Sequence, residues 1–273
     1  MDKAGIPGWN VPAAQALGIA PSSAAARSAL DLLDTRGESY PALDGAFVAY
    51  RGFRNDDATS RYESLLDTGI LSATETALAW FYIGALHERA FEREAALEAY
   101  AASIDAAPNG PLAPDARYWR GRVLEELEQP SAAAVEYDLL VEHYSASRFV
   151  EDARLRAAVA LGVAGAGAEA TARLGTITRT GTPTAAAEAA HWHAVLVSLF
   201  GAPAGDIAPA ADYDPTSYAA AFEHSGPSVT GPLPETALQE SPTAIPVDRT
   251  EINAWLIAAE QTPQARKSPV PCA

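Results

Sequence analysis

A pattern that returns after 37 residues is the feature that most constrains the fold of this chain. Two copies share a small residue, a second small residue and an aromatic at constant spacing: Gly84, Ala96 and Tyr100, then Gly121, Ala133 and Tyr137. A third, weaker copy carries three further residues at the same separations: Ala158, Ala170 and Leu174. A sequence period of about 20 to 50 residues is typical of proteins that stack one supersecondary unit on the next. The spacing therefore predicts a repeat architecture.

The repeating unit is predicted to be a pair of helices. Alanine supplies 61 of the 273 residues, and alanine favours helix and disfavours strand. Apolar periodicity predicts ten helices, at 23–35, 41–53, 57–70, 73–89, 92–107, 113–128, 130–144, 148–163, 167–178 and 184–200. Proline and glycine interrupt the pattern between them, as at Pro108, Gly110 and Pro130.

Each copy resembles the tetratricopeptide unit, whose small residues let two helices approach closely and whose aromatic fills the gap between neighbouring hairpins. We therefore predict an all-α fold, an α-solenoid (superhelix) of tetratricopeptide-like helical hairpins. A fourth copy is placed around Trp192 and Ala194, which lie 73 residues after Trp119 and Gly121. Most of the repeat aromatics are expected in the core, and four are candidates for contact with a ligand or partner: Tyr82, Trp119, Tyr137 and Trp192.

The segment around the second copy also resembles a more specific family. Residues 116–125 follow the pattern Ala-x-Tyr-Trp-x-Gly-Arg-x-Leu-Glu, and 137–144 follow with tyrosine at both ends. These features are similar to the superhelical, non-catalytic region of bacterial soluble lytic transglycosylases, which cleave the glycan strands of peptidoglycan. The resemblance covers roughly residues 70–260 and implies a right-handed superhelix. It also implies that the helix predicted at 249–260 corresponds to the connector before the catalytic domain of that family.

The catalytic domain of that family has no counterpart here. Its general-acid glutamate stands in a Glu-Ser-x-Phe context, but none of the Glu-Ser pairs at residues 38, 63 and 240 is followed by the expected aromatic and helix. Its Gly-Leu-Met-Gln segment cannot exist, because Met1 is the single methionine. We therefore expect no catalytic residue and no enzymatic activity in this chain, although a longer native protein could be such an enzyme.

No metal or cofactor site is expected either. His191 and His193 are two residues apart, which places them about 200° apart around a helix, so they cannot hold one metal from one face. The glycine-rich residues 162–167 follow a predicted helix, whereas a phosphate-binding loop follows a strand. We interpret them as a helix end and a turn.

Charge narrows the choice of partner. The chain has 35 acidic and 19 basic side chains, a formal net charge of −16, and a single cysteine, Cys272. Nucleic acids need a cluster of Lys and Arg, which is absent here, and anionic membrane surfaces would repel the chain. No apolar run is long enough to span a membrane. We therefore expect no nucleic acid and no membrane insertion, and consider a protein or peptide partner, or peptidoglycan glycan.

Composition divides the chain into five segments. Residues 1–22 are predicted to be irregular, 23–201 form the helical-repeat domain, 202–248 are rich in proline and extended, 249–260 form a short helix, and 261–273 are a tail. No signal peptide precedes the repeats, so a cytoplasmic location is expected if Met1 is the native start. The family resemblance instead implies the periplasm or cell envelope.

Two functional hypotheses follow from the sequence. The first is a non-catalytic helical-repeat scaffold that docks on peptidoglycan or on a partner that processes the cell wall. The second is a general tetratricopeptide module that binds a peptide or helix of another protein. The acidic surface favours a basic partner in the second case and gives no attraction to anionic peptidoglycan in the first.

Overall fold

The computed structural model describes residues 10–203 of the chain. This part forms eleven α-helices and no strand. They are α1 (Asn10–Ile19), α2 (Ala24–Arg36), α3 (Ala42–Arg51), α4 (Asn55–Asp67), α5 (Ala73–Arg89), α6 (Arg93–Ala106), α7 (Ala113–Glu126), α8 (Pro130–His143), α9 (Val150–Val163), α10 (Gly167–Thr180) and α11 (Pro183–Phe200). No helix in this range is long and apolar enough to cross a membrane.

The prediction of an all-α fold of tetratricopeptide-like hairpins is confirmed. Each of the ten predicted helices is present, with ends that differ from the prediction by three residues or fewer. The N-terminal segment 1–22 differs, because it contains α1. Pro12 lies in the first turn of α1, where the missing N–H has no intrahelical partner to lose, and Leu17 is completely buried in the core. Of the segment predicted at 202–248, residues 204–248 lie outside the described residues, as do the segments predicted at 249–260 and 261–273.

The chain divides into two compact units, which meet in the sequence between Val123 and Leu124. In unit 1, α1 packs on α2, α3 on α4, and α5 on α6, and α4 packs on α5 to join two hairpins. In unit 2, α8 packs on α9, α9 on α10, and α10 on α11. Helices that follow one another in the sequence therefore stack side by side within each unit, which is the solenoid arrangement.

The residues that define the repeat lie where the helices of a hairpin cross. Gly84 on α5 is buried, and a Cβ added there would lie 2.8 Å from Cδ1 of the Tyr100 ring on α6. The hydroxyl of Ser103 on α6 donates a 2.7 Å hydrogen bond to the carbonyl of Ala77 on α5. Glycine is therefore needed at position 84 for the close approach of these two helices.

The structure shows one further copy of the repeat that the sequence analysis missed. Ala46, Ala58 and Tyr62 lie 38 residues before Gly84, Ala96 and Tyr100 and are all completely buried. In this copy alanine replaces the first glycine, and the spacing to the next copy is one residue longer. A search for glycine at a fixed period therefore does not find this copy. In the structure, α3 and α4 nevertheless form the same kind of hairpin.

The fourth copy proposed in the sequence begins on α11. Ala194, assigned there to the close-packing position, is exposed, whereas Ala158 at that position of α9 is completely buried. In the preceding hairpins this position is covered by the second helix of the same hairpin. Because the described residues end at 203, three residues after α11, the structure describes no second helix for this copy.

Each hairpin of the repeat turns through one residue with a positive φ. These residues are Phe53 (58°), Phe91 (62°), Glu128 (57°) and Gly165 (92°), and successive ones are separated by 38, 37 and 37 residues. The glycine-rich segment 162–167 is thus the end of α9 and the turn into α10, as expected. The left-handed turn is a fixed feature of the hairpin, but the residue that adopts it is not fixed.

The hydroxyl of the tyrosine at the helix crossing has different hydrogen bonding in two neighbouring hairpins of unit 1. The hydroxyl of Tyr100 donates a short hydrogen bond to the carboxylate of Glu88. At the position equivalent to Glu88, the preceding hairpin has Tyr50, and the buried Tyr62 hydroxyl has no hydrogen-bond partner among residues 10–203. A buried polar group without a partner keeps its desolvation penalty.

Removing these two hydroxyls should therefore change stability in opposite directions. We expect Tyr62→Phe to raise the free energy of unfolding by about 1 kcal/mol, because an unsatisfied buried group is removed. Tyr100→Phe should lower it by about 1–2 kcal/mol, because a hydrogen bond to a carboxylate is lost. Urea titration followed by circular dichroism measures both, and a loss of stability in Tyr62→Phe would contradict the account.

Candidate binding surface

Tyr82 on α5 lies at the centre of an aromatic cluster in unit 1. Its ring centroid lies 4.8 Å from that of Tyr50, 5.1 Å from Phe47, 5.4 Å from Phe81 and 5.7 Å from Tyr62. Burial, together with the neighbouring Tyr50, raises the pKa of Tyr82 to about 12, so its hydroxyl stays neutral. The side chain is nevertheless only partly buried. Tyr82 therefore keeps some exposed area although four other rings surround it.

Asp44 on α3 is a partly buried carboxylate beside this cluster. A Cβ added to Gly18 of α1 would lie 3.1 Å from Oδ2 of Asp44, so α1 covers one side of the carboxylate. Burial raises the pKa of Asp44, and its charge contributes to the raised pKa of Tyr62. Within the described part of the chain, Asp44 makes no side-chain hydrogen bond and no ion pair.

Two arginines already cover other rings of the cluster. The guanidinium carbon of Arg89 lies 3.8 Å from the centroid of Tyr50, and that of Arg51 lies 5.9 Å from the centroid of Phe47. Over residues 10–203 no arginine or lysine covers the Tyr82 ring in this way. The Tyr82 ring keeps exposed area without a covering cation, and the Asp44 carboxylate acts on another ring of the cluster, that of Tyr62.

Trp119 on α7 is also partly buried in unit 1. The Tyr118 ring meets it edge-on, with centroids 5.5 Å apart, and the guanidinium carbon of Arg122 lies 5.9 Å from its ring. The guanidinium of Arg122, on the same helix, thus lies over one face of the indole ring. The sequence prediction that Trp119 contacts a partner stays a prediction.

In unit 2, Trp192 and Glu188 lie four residues apart on α11 and so share one face of that helix. Trp192 is partly buried and meets the buried His191 edge-on at 5.7 Å. Burial raises the pKa of Glu188, and the neighbouring carboxylate of Asp152 on α9 raises it further. No hydrogen bond or ion pair holds the Glu188 carboxylate within the described range.

Arg156, the arginine of the described residues whose charge acts on Glu188, is engaged elsewhere. Arg156 on α9 donates from Nε to Asp152 at 2.9 Å and from Nη1 to Glu125 at 3.1 Å. Its charge partly offsets the shift in the pKa of Glu188 without reversing it. Unit 2 thus also contains a partly buried aromatic and a partly buried carboxylate, here on one face of one helix.

Tyr137 is a correction to the sequence-based candidates. It is completely buried on α8 within unit 2, so its side chain has no surface that a partner could contact in this arrangement. It occupies the same repeat position as Tyr62 and Tyr100, which fill the hairpin crossing. The three remaining candidates all keep exposed area: Tyr82 and Trp119 lie on the first helices of their hairpins, and Trp192 lies on α11.

Sequence reasoning missed Asp44 and Glu188. The four-residue spacing between Glu188 and Trp192 was a usable signal, because it places both on one helix face. Asp44 has no comparable signal, since its burial depends on Gly18, 26 residues away. The described residues contain no group of three His, Cys, Asp or Glu side chains that could hold a metal ion.

Comparisons with known proteins give one structural likeness. No protein-family model matches the chain, and no curated protein matches it. Among solved structures it is similar to YrrB, described as a TPR protein with an unusual peptide-binding site, with 19% sequence identity and a TM-score of 0.49. The likeness covers 66% of this chain and 85% of that one.

The unpaired carboxylate of Glu188 should give unit 2 a measurable pH dependence. A folded-state pKa above the ordinary 4.5 means that the native state holds this proton more tightly. The contribution of this group to stability is therefore present at low pH and is lost as pH rises through the folded pKa. Glu188→Gln should unfold at a higher temperature than the wild type at pH 7, and the difference should shrink towards pH 4.

Calorimetry of both proteins across this pH range measures the difference. The exposed Glu142 on α8 provides the control, because Glu142→Gln changes the net charge equally without removing a buried carboxylate. A difference between Glu188→Gln and wild type that stays constant with pH would contradict the prediction.

Proposed function

We propose that this chain is a non-catalytic helical-repeat module that binds a protein or peptide partner through basic side chains of that partner. The observation that carries this proposal is the pair of unpaired carboxylates, Asp44 in unit 1 and Glu188 in unit 2, each in a unit that also contains a partly exposed aromatic. A partly buried charge without a partner destabilises a fold. The folded chain gains nothing from either carboxylate, whereas a lysine or arginine from a partner would supply the missing opposite charge.

The aromatic neighbours fit the same kind of partner. A cation is attracted to the face of a tyrosine or tryptophan ring, so Tyr82 and Trp192 can bind the same side chains that the carboxylates attract. The net charge of −16 adds a longer-range attraction, which increases the rate at which a basic partner is captured. Short-range and long-range electrostatics therefore favour the same class of partner.

The proposal is tested with two fluorescent peptides of one length, in which leucine alternates with either arginine or glutamate. Binding to the full chain is followed by fluorescence anisotropy at about 0.15 M salt, where distant charges are largely screened. We expect the arginine peptide to bind and the glutamate peptide not to bind. Asp44→Asn and Glu188→Gln should each weaken binding at the site of its own unit by about tenfold, the effect of about 1.4 kcal/mol, and leave the site of the other unit unchanged.

Matched variants separate the proposed contacts from general charge attraction. Glu63 on α4 and Glu142 on α8 are exposed, so Glu63→Gln and Glu142→Gln change the net charge equally at other places. These variants should bind the arginine peptide like the wild type. An equal loss of affinity in all four variants, or no binding of the arginine peptide, would contradict the proposal.

A second candidate function is docking on the cell wall, as a scaffold related to the superhelical region of lytic transglycosylases. It is favoured by the sequence match at 116–125, within which Trp119 keeps exposed area for stacking on a sugar. The chain would then act in the periplasm or cell envelope, whereas the first function fits the cytoplasm equally well.

Retention on purified peptidoglycan sacculi distinguishes the second function from the first. A scaffold that docks on the wall should sediment with sacculi at moderate salt, and Trp119→Ala should abolish that sedimentation while leaving the melting temperature close to that of the wild type. A lytic transglycosylase catalytic domain serves as the positive control. A chain that stays in the supernatant does not have this function.

A further inference from the structure

Two phenylalanines in the hairpin turns of unit 1 are both strained and exposed. Phe53 follows α3 with a φ of 58°, and Phe91 follows α5 with a φ of 62°. Their side chains are 76% and 78% exposed. Left-handed backbone is unfavourable for any residue with a Cβ, and it is most unusual for bulky side chains.

The fold itself does not need phenylalanine at these positions. The equivalent turns of the next two hairpins adopt a positive φ with Glu128 and Gly165, and glycine does so without strain. The exposed rings bury little apolar area, so they contribute little to the core. Strained residues that the fold does not require are found most often at functional positions.

Arg89 lies between Phe53 and the aromatic cluster of unit 1. Its guanidinium carbon is 4.9 Å from the Phe53 centroid and 3.8 Å from the Tyr50 centroid. Nη1 donates to the carbonyl of Tyr50 at 2.9 Å and to Oδ1 of Asn55 at 3.4 Å. Arginine has five donors, and within residues 10–203 those on Nε and Nη2 have no protein acceptor and are not enclosed.

Two acidic side chains near these turns are paired with groups other than Arg89. Glu92 is bonded to His87 at 2.6 Å, and Asp57 is paired with Arg54 at 2.7 Å and with Arg61 at 2.8 Å. Arg89 itself forms no ion pair with any described residue.

Arg89 also connects the two turns, because it precedes one of them in the sequence and contacts the other. It lies two residues before Phe91 in the sequence, and its guanidinium covers the ring of Phe53 in the preceding hairpin. A second arginine lies over Phe91, since the guanidinium carbon of Arg93 is 4.9 Å from the centroid of its ring. Both phenylalanines are thus at the same edge of unit 1, and an arginine lies over each.

We propose that Phe53, Arg89 and Phe91, the turn edge, bind a partner segment in which an acidic side chain stands next to an apolar one. The apolar side chain would cover the exposed phenylalanine rings, which removes apolar surface from water. The carboxylate would accept hydrogen bonds from Nε and Nη2 of Arg89, the bidentate geometry that arginine favours. This chemistry differs from the basic side chains proposed for Asp44 and Glu188, so the two surfaces take different segments and each can fail alone.

A displayed library of random peptides provides the probe. The library is selected on the full chain and then depleted on the double variant Phe53→Gly/Phe91→Gly, in which both turns can keep their positive φ. Peptides that survive depletion should contain Asp or Glu next to Leu, Ile, Phe, Val or Met. Synthetic copies should bind the wild type and lose affinity by about tenfold or more in the double variant.

Three further measurements separate the loss of the proposed contacts from other causes of weaker peptide binding. Arg89→Gln should remove the preference for the acidic peptide over its amide counterpart, whereas wild type should retain it. Ile70→Gly, at an exposed apolar residue of unit 1 outside the hairpin turns, should leave binding unchanged. The double glycine variant should melt at the same temperature as the wild type or higher, which separates lost contacts from lost folding.

The proposal is overturned by either of two results. In the first, no peptide depends on Phe53 and Phe91, or the dependent peptides are basic or uncharged. In the second, the double glycine variant melts well below the wild type, which would show that the phenylalanines serve the fold.

Discussion

The close crossing of two helices at a small residue is the contact on which the rest of this structure depends. Gly84 lets α5 and the Tyr100 ring of α6 meet without the Cβ that would lie 2.8 Å from that ring. Because the crossing fixes the distance between the helices, it also fixes the short left-handed turn that joins them. The first helices of successive hairpins then present residues such as Tyr82 at equivalent places.

Much of the fold could be predicted because the crossing leaves a periodic trace in the sequence. The spacing from Gly84 to Gly121 was sufficient to predict hairpins, and the helix ends followed from proline and glycine. The copy at Ala46 was missed because alanine serves the same purpose as glycine and the period shifts by one residue. Helix α1 was missed because its evidence is tertiary, the burial of Leu17 against other helices.

The candidate binding surface was less predictable, because it depends on which polar groups the packing leaves unpaired. Tyr137 and Tyr82 are both aromatics on repeat helices, but one fills a crossing and the other reaches solvent. Asp44 resembles any acidic residue of a helix until Gly18 is seen against it. Periodicity reports which side chains face the core, and it carries no information about charges that lack a partner.

The turn with a positive φ has a consequence for how such a chain can diversify. Phenylalanine, glutamate and glycine all occupy that place, so its side chain is decoupled from the packing that holds each hairpin. Since a hairpin of a repeat protein contacts its neighbours alone, a change at one turn reaches no further than the adjacent hairpins. Each turn can therefore acquire new chemistry through its one left-handed residue, while the two helices that it joins keep their close crossing.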